Sequence, residues 1–153
     1  QQHWGLSKNS SILDVGCAKG FMLYDFQRLI PGIKVTGVDV SNYAIECGMA
    51  EVKDCLSVAS CVDLPFESNS FDYTISITTV HNVEYNDCVR SLSEIERVSK
   101  KGSFITVDAY RNNEEKKRMD EWNLTALTIL HVEEWKELFD KAGYSGDYYW
   151  FIP

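Results

Sequence analysis

The sequence predicts an α/β domain built as a doubly wound, mainly parallel sheet with helices on both faces. Two observations carry that expectation. Short apolar runs alternate with helical patterns from Ser11 onward, the signature of repeated strand-helix-strand units. The first of those runs stops on Gly16 and passes through Gly20 into a helical segment, the kind of junction by which an open parallel sheet turns a strand into a helix.

Ser11 to Val15 is the first strand, rich in branched apolar residues. Gly20 to Leu29 reads as a helix in which Phe21, Met22, Leu23, Tyr24, Phe26 and Leu29 are too dense for a single stripe, which predicts a largely buried element. Pro31-Gly32 ends it. Lys34 to Val38 is the second strand and Ser41 to Val52 its helix, followed by strands at Leu56 to Ser60 and Phe71 to Ile77. Asn86 to Lys100 is amphipathic through Val89, Leu92, Ile95 and Val98, and Ser103 to Asp108 is a fifth strand. After a polar stretch the pattern closes with a helix near Val132 to Ala142, which His131 starts, and an aromatic strand from Asp147 to Ile152. There is no internal repeat, low-complexity tract or Pro-rich linker.

Composition narrows the partners. A chain of 153 residues with 44% hydrophobic content can bury one ordinary core and is too short for two, so residues 1–153 are expected to form a single domain. The net charge of -8 repels a polyanion, and the densest basic cluster, Lys116-Lys117-Arg118, is too small for a phosphate track. The expected partner is therefore a small molecule, not a nucleic acid. The five cysteines lack C-x-x-C spacing and are odd in number, which predicts free thiols, no zinc site and a reducing compartment. No apolar run approaches the roughly 18 to 20 residues that span a bilayer, and no segment resembles a signal peptide, so a cytoplasmic protein without membrane contact is expected. Because the chain opens on Gln1 and its first strand follows by Ser11, a native N-terminal segment is expected to be missing. The oligomeric state is not encoded in any pattern.

Chemistry concentrates in Ile12-Leu13-Asp14-Val15-Gly16-Cys17-Ala18-Lys19-Gly20-Phe21. A strand that ends in glycine and turns into a helix gathers bare backbone N–H groups and the positive helix end at one point, which suits a carboxylate or a phosphate. The loop alone does not choose between ligands. A dinucleotide fingerprint requires G-x-G-x-x-G, whereas Ala18 stands between Gly16 and Gly20. Asp39, 25 positions after Asp14, ends the second strand beside the same crevice, where its two oxygens can accept from both ribose hydroxyls. Val40 follows it, and the plain alternative for Asp39 is a helix cap, a role Ser41 could also fill.

Leu64-Pro65-Phe66 and Ser70-Phe71-Asp72-Tyr73 resemble the L-P-F and F-D blocks of class I S-adenosylmethionine-dependent methyltransferases of the small-molecule type. Glu94-Ile95-Glu96-Arg97-Val98-Ser99-Lys100-Lys101-Gly102 is similar to their E-x-x-R-V-L-K-P-G-G block, and the glycine loop is similar to their D-x-G-x-G-x-G loop, with a departure at Ala18. The resemblance covers Ser11 to Asp108. It implies a Rossmann-like fold, S-adenosylmethionine as cofactor, and cofactor contacts at Asp14, Gly16, Cys17, Ala18, Gly20, Asp39 and Val40. Members often carry an acidic residue four positions before the Leu of L-P-F to take the adenine amino group. Ser60 stands there, followed by Cys61, so that contact falls to a hydroxyl, to backbone or to Asp63, otherwise a turn residue. Ser76, near the exit of the fourth strand, is a further candidate for the cofactor side, with a backbone-paired sheet hydroxyl as its alternative.

Methyl transfer from a sulfonium requires mainly alignment and exclusion of water, with a general base only where the nucleophile carries a proton. His81, just beyond the fourth strand, is the candidate base, and packing or capping is its alternative. Arg111 or Arg118 could clamp an anionic substrate or form ordinary surface ion pairs. Two other readings stay open at this point. A nicotinamide oxidoreductase would share the loop and Asp39, and a non-catalytic cofactor-binding module would share all the cofactor blocks.

Overall fold

The computed structural model describes residues 4–153. Its seven strands form one sheet: β1 (Ser11–Val15), β2 (Lys34–Asp39), β3 (Leu56–Val58), β4 (Phe71–Ile77), β5 (Ser99–Tyr110), β6 (Leu130–His131) and β7 (Asp147–Phe151). Every strand pairing is parallel, in the order β3-β2-β1-β4-β5, with β7 along β5 and the short β6 on its last two residues. The chain thus winds outward from β1 to β3, then crosses back to β4. That reversal opens a crevice at the carboxyl ends of β1 and β4. The doubly wound, Rossmann-like fold expected from the sequence is the one observed.

Five helices flank the sheet: α1 (Phe21–Leu29), α2 (Asn42–Glu46), α3 (Tyr85–Val98), α4 (Asn113–Trp122) and α5 (Val132–Ala142). Alternation along β1 splits the core in two. Leu13 and Val15 join Val38, Leu92, Ile95, Val107, Trp135 and Leu138 beneath α3 and α5, while Ile12 joins Leu23, Ile33, Val35, Val52 and Ile75 on the α1 side. Each buried Leu or Ile contributes roughly 1.5–3 kcal/mol, so both layers are needed to hold the sheet.

Several boundaries differ from expectation, for local reasons. Only Leu23 of α1 is buried, and Phe21 and Leu29 are 61% and 72% exposed. A short helix on an open sheet offers one side to the core however many apolar residues surround it. The helix expected to Val52 stops after Glu46, because Met49 N–H bonds the Lys19 carbonyl (2.9 Å) and pulls the following segment under the glycine loop. The strand expected at Ser103 starts at Ser99, whose hydroxyl bonds Thr74 Oγ1 (2.8 Å), and a bulge between Phe71 and Tyr73 absorbs the extra residue. Within the polar stretch lies α4, capped by Asn112 Oδ1, which accepts from Glu115 N–H at 3.0 Å. The aromatic ending is a sheet strand, with Trp150 stacked on Phe139 at 5.7 Å.

Candidate active site

The glycine loop is shaped by backbone bonds before any side chain acts. Gly16 and Cys17 N–H both donate to the Val38 carbonyl, at 2.7 and 2.9 Å, bending the end of β1 over the end of β2. Gly16, Ala18 and Gly20 then take positive φ of 87°, 47° and 79°. A Cβ on Gly16 would lie 2.0 Å from Thr79 Oγ1, so close approach as well as φ demands glycine there. Ala18 takes the left-handed conformation with its methyl group in place.

Asp39 supports the loop from below. Its Oδ2 accepts from Ala18 N–H and its Oδ1 from Ser41 N–H, both at 2.8 Å, while Ser41 Oγ caps α2 by accepting from Ala44 N–H at 3.1 Å. Both carboxylate oxygens keep a lone pair for ribose hydroxyls. A small cavity of about 50 Å³ gathers Gly16, Asp39, Val40 and Cys61 with Val15, Val38, Ala59 and Thr79. Sequence reasoning missed Ala59 and Thr79, whose only signal is position, at the carboxyl ends of strands.

Asp14 and Cys17 lie behind this surface. Burial and, second, the charge of Asp39 push the Asp14 carboxyl up to about 7. Burial, then Asp14 and Asp39, push the Cys17 thiol up to about 12, so it is a packing group and not a nucleophile. Ser60 forms a bridge with Asp63, which makes the latter a turn residue, and its hydroxyl accepts from Val62 N–H at 3.4 Å. Cys61 Sγ accepts from Ser91 Oγ at 3.2 Å. Ser76 is a correction: fully buried, it donates to the Val15 carbonyl at 2.9 Å, tying β4 to β1 instead of lining the crevice.

A second cavity, about 320 Å³, opens at the carboxyl ends of β4 and β5. Thr78, His81 and Asp108 form its polar side, and Trp122, Leu124 and Phe151 its apolar side, with Asn123 and Thr125 between. Thr78 and Thr79 are adjacent, so the exit of β4 separates the two cavities by one peptide. Thr78 holds φ 51°, an unusual value for a β-branched residue. Thr106 Oγ1 accepts from its N–H at 2.8 Å, and its carbonyl accepts from Asn82 Nδ2 at 3.0 Å, which fix the conformation.

His81 is the second correction. It is 3% exposed, and burial lowers its pKa to about 4. Nδ1 accepts from Asp108 N–H at 3.0 Å, so the neutral ring carries its proton on Nε2 and offers a donor, not a base. Its carbonyl also accepts from Leu127 and Thr128 N–H, each at 3.0 Å, anchoring the loop after α4. Arg111 pairs with Glu115 (2.6 Å) and Arg118 Nε donates to the Pro153 carbonyl (3.0 Å); neither lines the cavity, so the alternative of surface roles replaces the anion clamp. Among the described residues no cluster could hold a metal ion, and no helix is long and apolar enough to cross a membrane.

Comparison with known proteins agrees with this geometry. A family model described as a methyltransferase domain matches residues 13–107. A tRNA (carboxymethyluridine(34)-5-O)-methyltransferase of Arabidopsis thaliana is 31% identical over 85% of this chain and 31% of its own length. A demethylmenaquinone methyltransferase of Symbiobacterium thermophilum is 39% identical over 64% of the chain and 42% of its own. The chain therefore spans about a third to two-fifths of these curated relatives. In the complex between the Haloferax volcanii Trm112 methyltransferase activator and a methyltransferase, one chain superposes with a TM-score of 0.73 at 26% identity, over 91% of this chain and 63% of that one. Loop, acidic strand end and ordered blocks together with these matches show that the chain belongs to the methyltransferase-domain family, whose cofactor is S-adenosylmethionine.

Proposed function

We propose that the chain transfers a methyl group from S-adenosylmethionine to a small-molecule acceptor, the donor lying along the glycine loop and Asp39 with only part of it in the small cavity, and the acceptor in the larger cavity across Thr78-Thr79. That adjacency carries the reading. The crevice suits the cofactor because Asp39 keeps acceptor capacity beyond its two amide partners and because Gly16, packed too closely on Thr79 to carry a Cβ, leaves the loop backbone bare beside it. Gly16, Ala18 and Gly20 would present backbone to it, Asp39 its carboxylate to the ribose, and Val40, Cys61 and backbone near Ser60 the wall beside the base. Bound there, S-adenosylmethionine supplies an electrophilic methyl group with a good leaving group already in place. The protein's part is to align the nucleophile and keep water out. Thr78 and Thr79, fixed by bonds to Thr106 and Ile77, would set that alignment. His81 would hold the end of β5 in position.

A non-catalytic module would need the first cavity and not the second, which favours catalysis. The net charge of -8 and the apolar wall of the second cavity favour a small molecule over RNA, although one relative is named for a tRNA substrate. An activator subunit, as in the Haloferax volcanii complex, is a further partner consistent with the family. The test is methyl transfer from labelled S-adenosylmethionine into fractionated metabolite pools and, separately, into tRNA. Label should enter a small-molecule fraction, and Gly16→Ala, which forces a methyl group into Thr79, should abolish transfer. Label confined to tRNA, or unaffected by Gly16→Ala, would contradict the reading.

A further inference from the structure

Asp108 lies two residues before the end of β5, its side chain is 10% exposed, and it lines the 320 Å³ cavity. Its backbone is fully committed: the N–H goes to His81 Nδ1 (3.0 Å) and the carbonyl accepts from Trp135 Nε1 (2.9 Å). The carboxylate itself has no hydrogen bond among the described residues. His81 Nδ1 lies 3.8 Å from Oδ1, but that nitrogen is accepting from the Asp108 amide and carries no proton to share. Among the described residues the Asp108 oxygens are not sealed from solvent and no donor is bonded to them, so the carboxylate is open to a hydrogen bond from a molecule seated against Trp122, Leu124 and Phe151.

We propose that Asp108 is the catalytic proton acceptor of this site, and that the acceptor substrate is an uncharged, apolar or aromatic molecule whose nucleophilic oxygen or nitrogen carries a proton. The inference rests on the methyl-transfer reading above. Donation from the substrate O–H or N–H satisfies the orphan carboxylate, while the apolar wall takes the body of the molecule. As the nucleophile's lone pair forms its bond to the methyl carbon, the carbon–sulfur bond breaks with its electron pair left on sulfur, and the substrate's proton passes to Asp108. Solvent removes that proton after the product leaves. Burial raises the Asp108 pKa, which brings the carboxylate closer to a useful basicity. Among the described residues His81 is the only other titratable group lining the cavity, and no arginine or lysine does, so an anionic acceptor would meet Asp108 unscreened.

Two probes built on the same bicyclic ring separate the possibilities: neutral 2-naphthol and anionic naphthalene-2-carboxylate, titrated by calorimetry at pH 8 with S-adenosylhomocysteine present. The wild-type chain should bind the naphthol on the order of tenfold tighter than the carboxylate, the scale of one hydrogen bond to a charged acceptor. Asp108→Asn, which keeps both backbone bonds, should retain a cooperative thermal transition and lose that preference. Where the 2-naphthol complex is seen, the Asp108 carboxyl carbon should also shift by NMR in the wild type. Equal binding of the two probes, no detectable naphthol binding, or a preference unchanged in Asp108→Asn would each overturn the assignment. Absence of S-adenosylhomocysteine binding with the naphthol preference intact would instead count against the methyl-donor reading alone.

Discussion

At the scale of single residues, two buried titratable groups pull stability in opposite directions across the same pH range. Asp14 is raised to about 7, so between about pH 4 and 7 the folded state holds a proton the unfolded chain has lost, and its contribution falls as pH rises. His81 is lowered to about 4 from 6.5, so between those values the unfolded chain binds the extra proton, and its contribution falls as pH drops. Each group acting alone gives a slope of up to about 1.4 kcal/mol per pH unit, and together they oppose each other. Urea unfolding from pH 4.5 to 6.5 should therefore show, relative to wild type, a stability that rises more steeply with pH in Asp14→Asn and less steeply, or falls, in His81→Gln. Curves parallel to wild type in both variants would refute these assignments. Neither shift was legible in the sequence, because burial depends on what packs above β1 and β4. What the sequence did show was which residues stand at strand ends: Gly16, Asp39 and Val40 line one small cavity, whereas Ser76 points into the sheet and His81 is locked by an amide 27 residues away.

At the scale of elements, local signals served where caps and periodicity were strong and failed where tertiary bonds decided. The start of α5 at His131 illustrates the first case. His131 Nδ1 accepts from Glu133 N–H at 3.2 Å, while Glu134 Oε2 accepts from His131 N–H at 2.8 Å, and Nε2 reaches the Arg111 carbonyl at 3.1 Å. Truncation to His131→Ala should cost about 0.5–2 kcal/mol, and His131→Asn, a good cap, should recover most of it; chemical denaturation measures both. An Ala variant as stable as wild type would mean the cap contributes nothing. The early end of α2 and the early start of β5 illustrate the second case. Both are set by partners distant in sequence, Lys19 for Met49 and Thr74 for Ser99, which no local pattern reveals. The charged run before Met119 reads as a solvated helix face, and α4 lies there, its buried face little more than Met119 and Glu115, too narrow a stripe for periodicity to set its bounds.

At the scale of the whole molecule, parallel winding brings the ends of β1, β2 and β4 to one crevice and the ends of β4 and β5 to another, so the two cavities become neighbours through topology alone. The first crevice was legible because a glycine turn after one strand and a carboxylate at the end of the next, at that spacing, suit a nucleoside-binding crevice and little else. The second was not, since Trp122, Leu124 and Phe151 are ordinary apolar residues until α4 and β7 bring them to His81 and Asp108. The central claim is that the glycine loop and Asp39 form a cofactor site, and calorimetric titration with S-adenosylhomocysteine tests it most directly. The account predicts saturable binding by the wild-type chain and a loss of roughly 1.5–3 kcal/mol, about 10- to 150-fold in affinity, in Asp39→Ala. Binding of NADH in place of S-adenosylhomocysteine, or an affinity unchanged in Asp39→Ala, would contradict it.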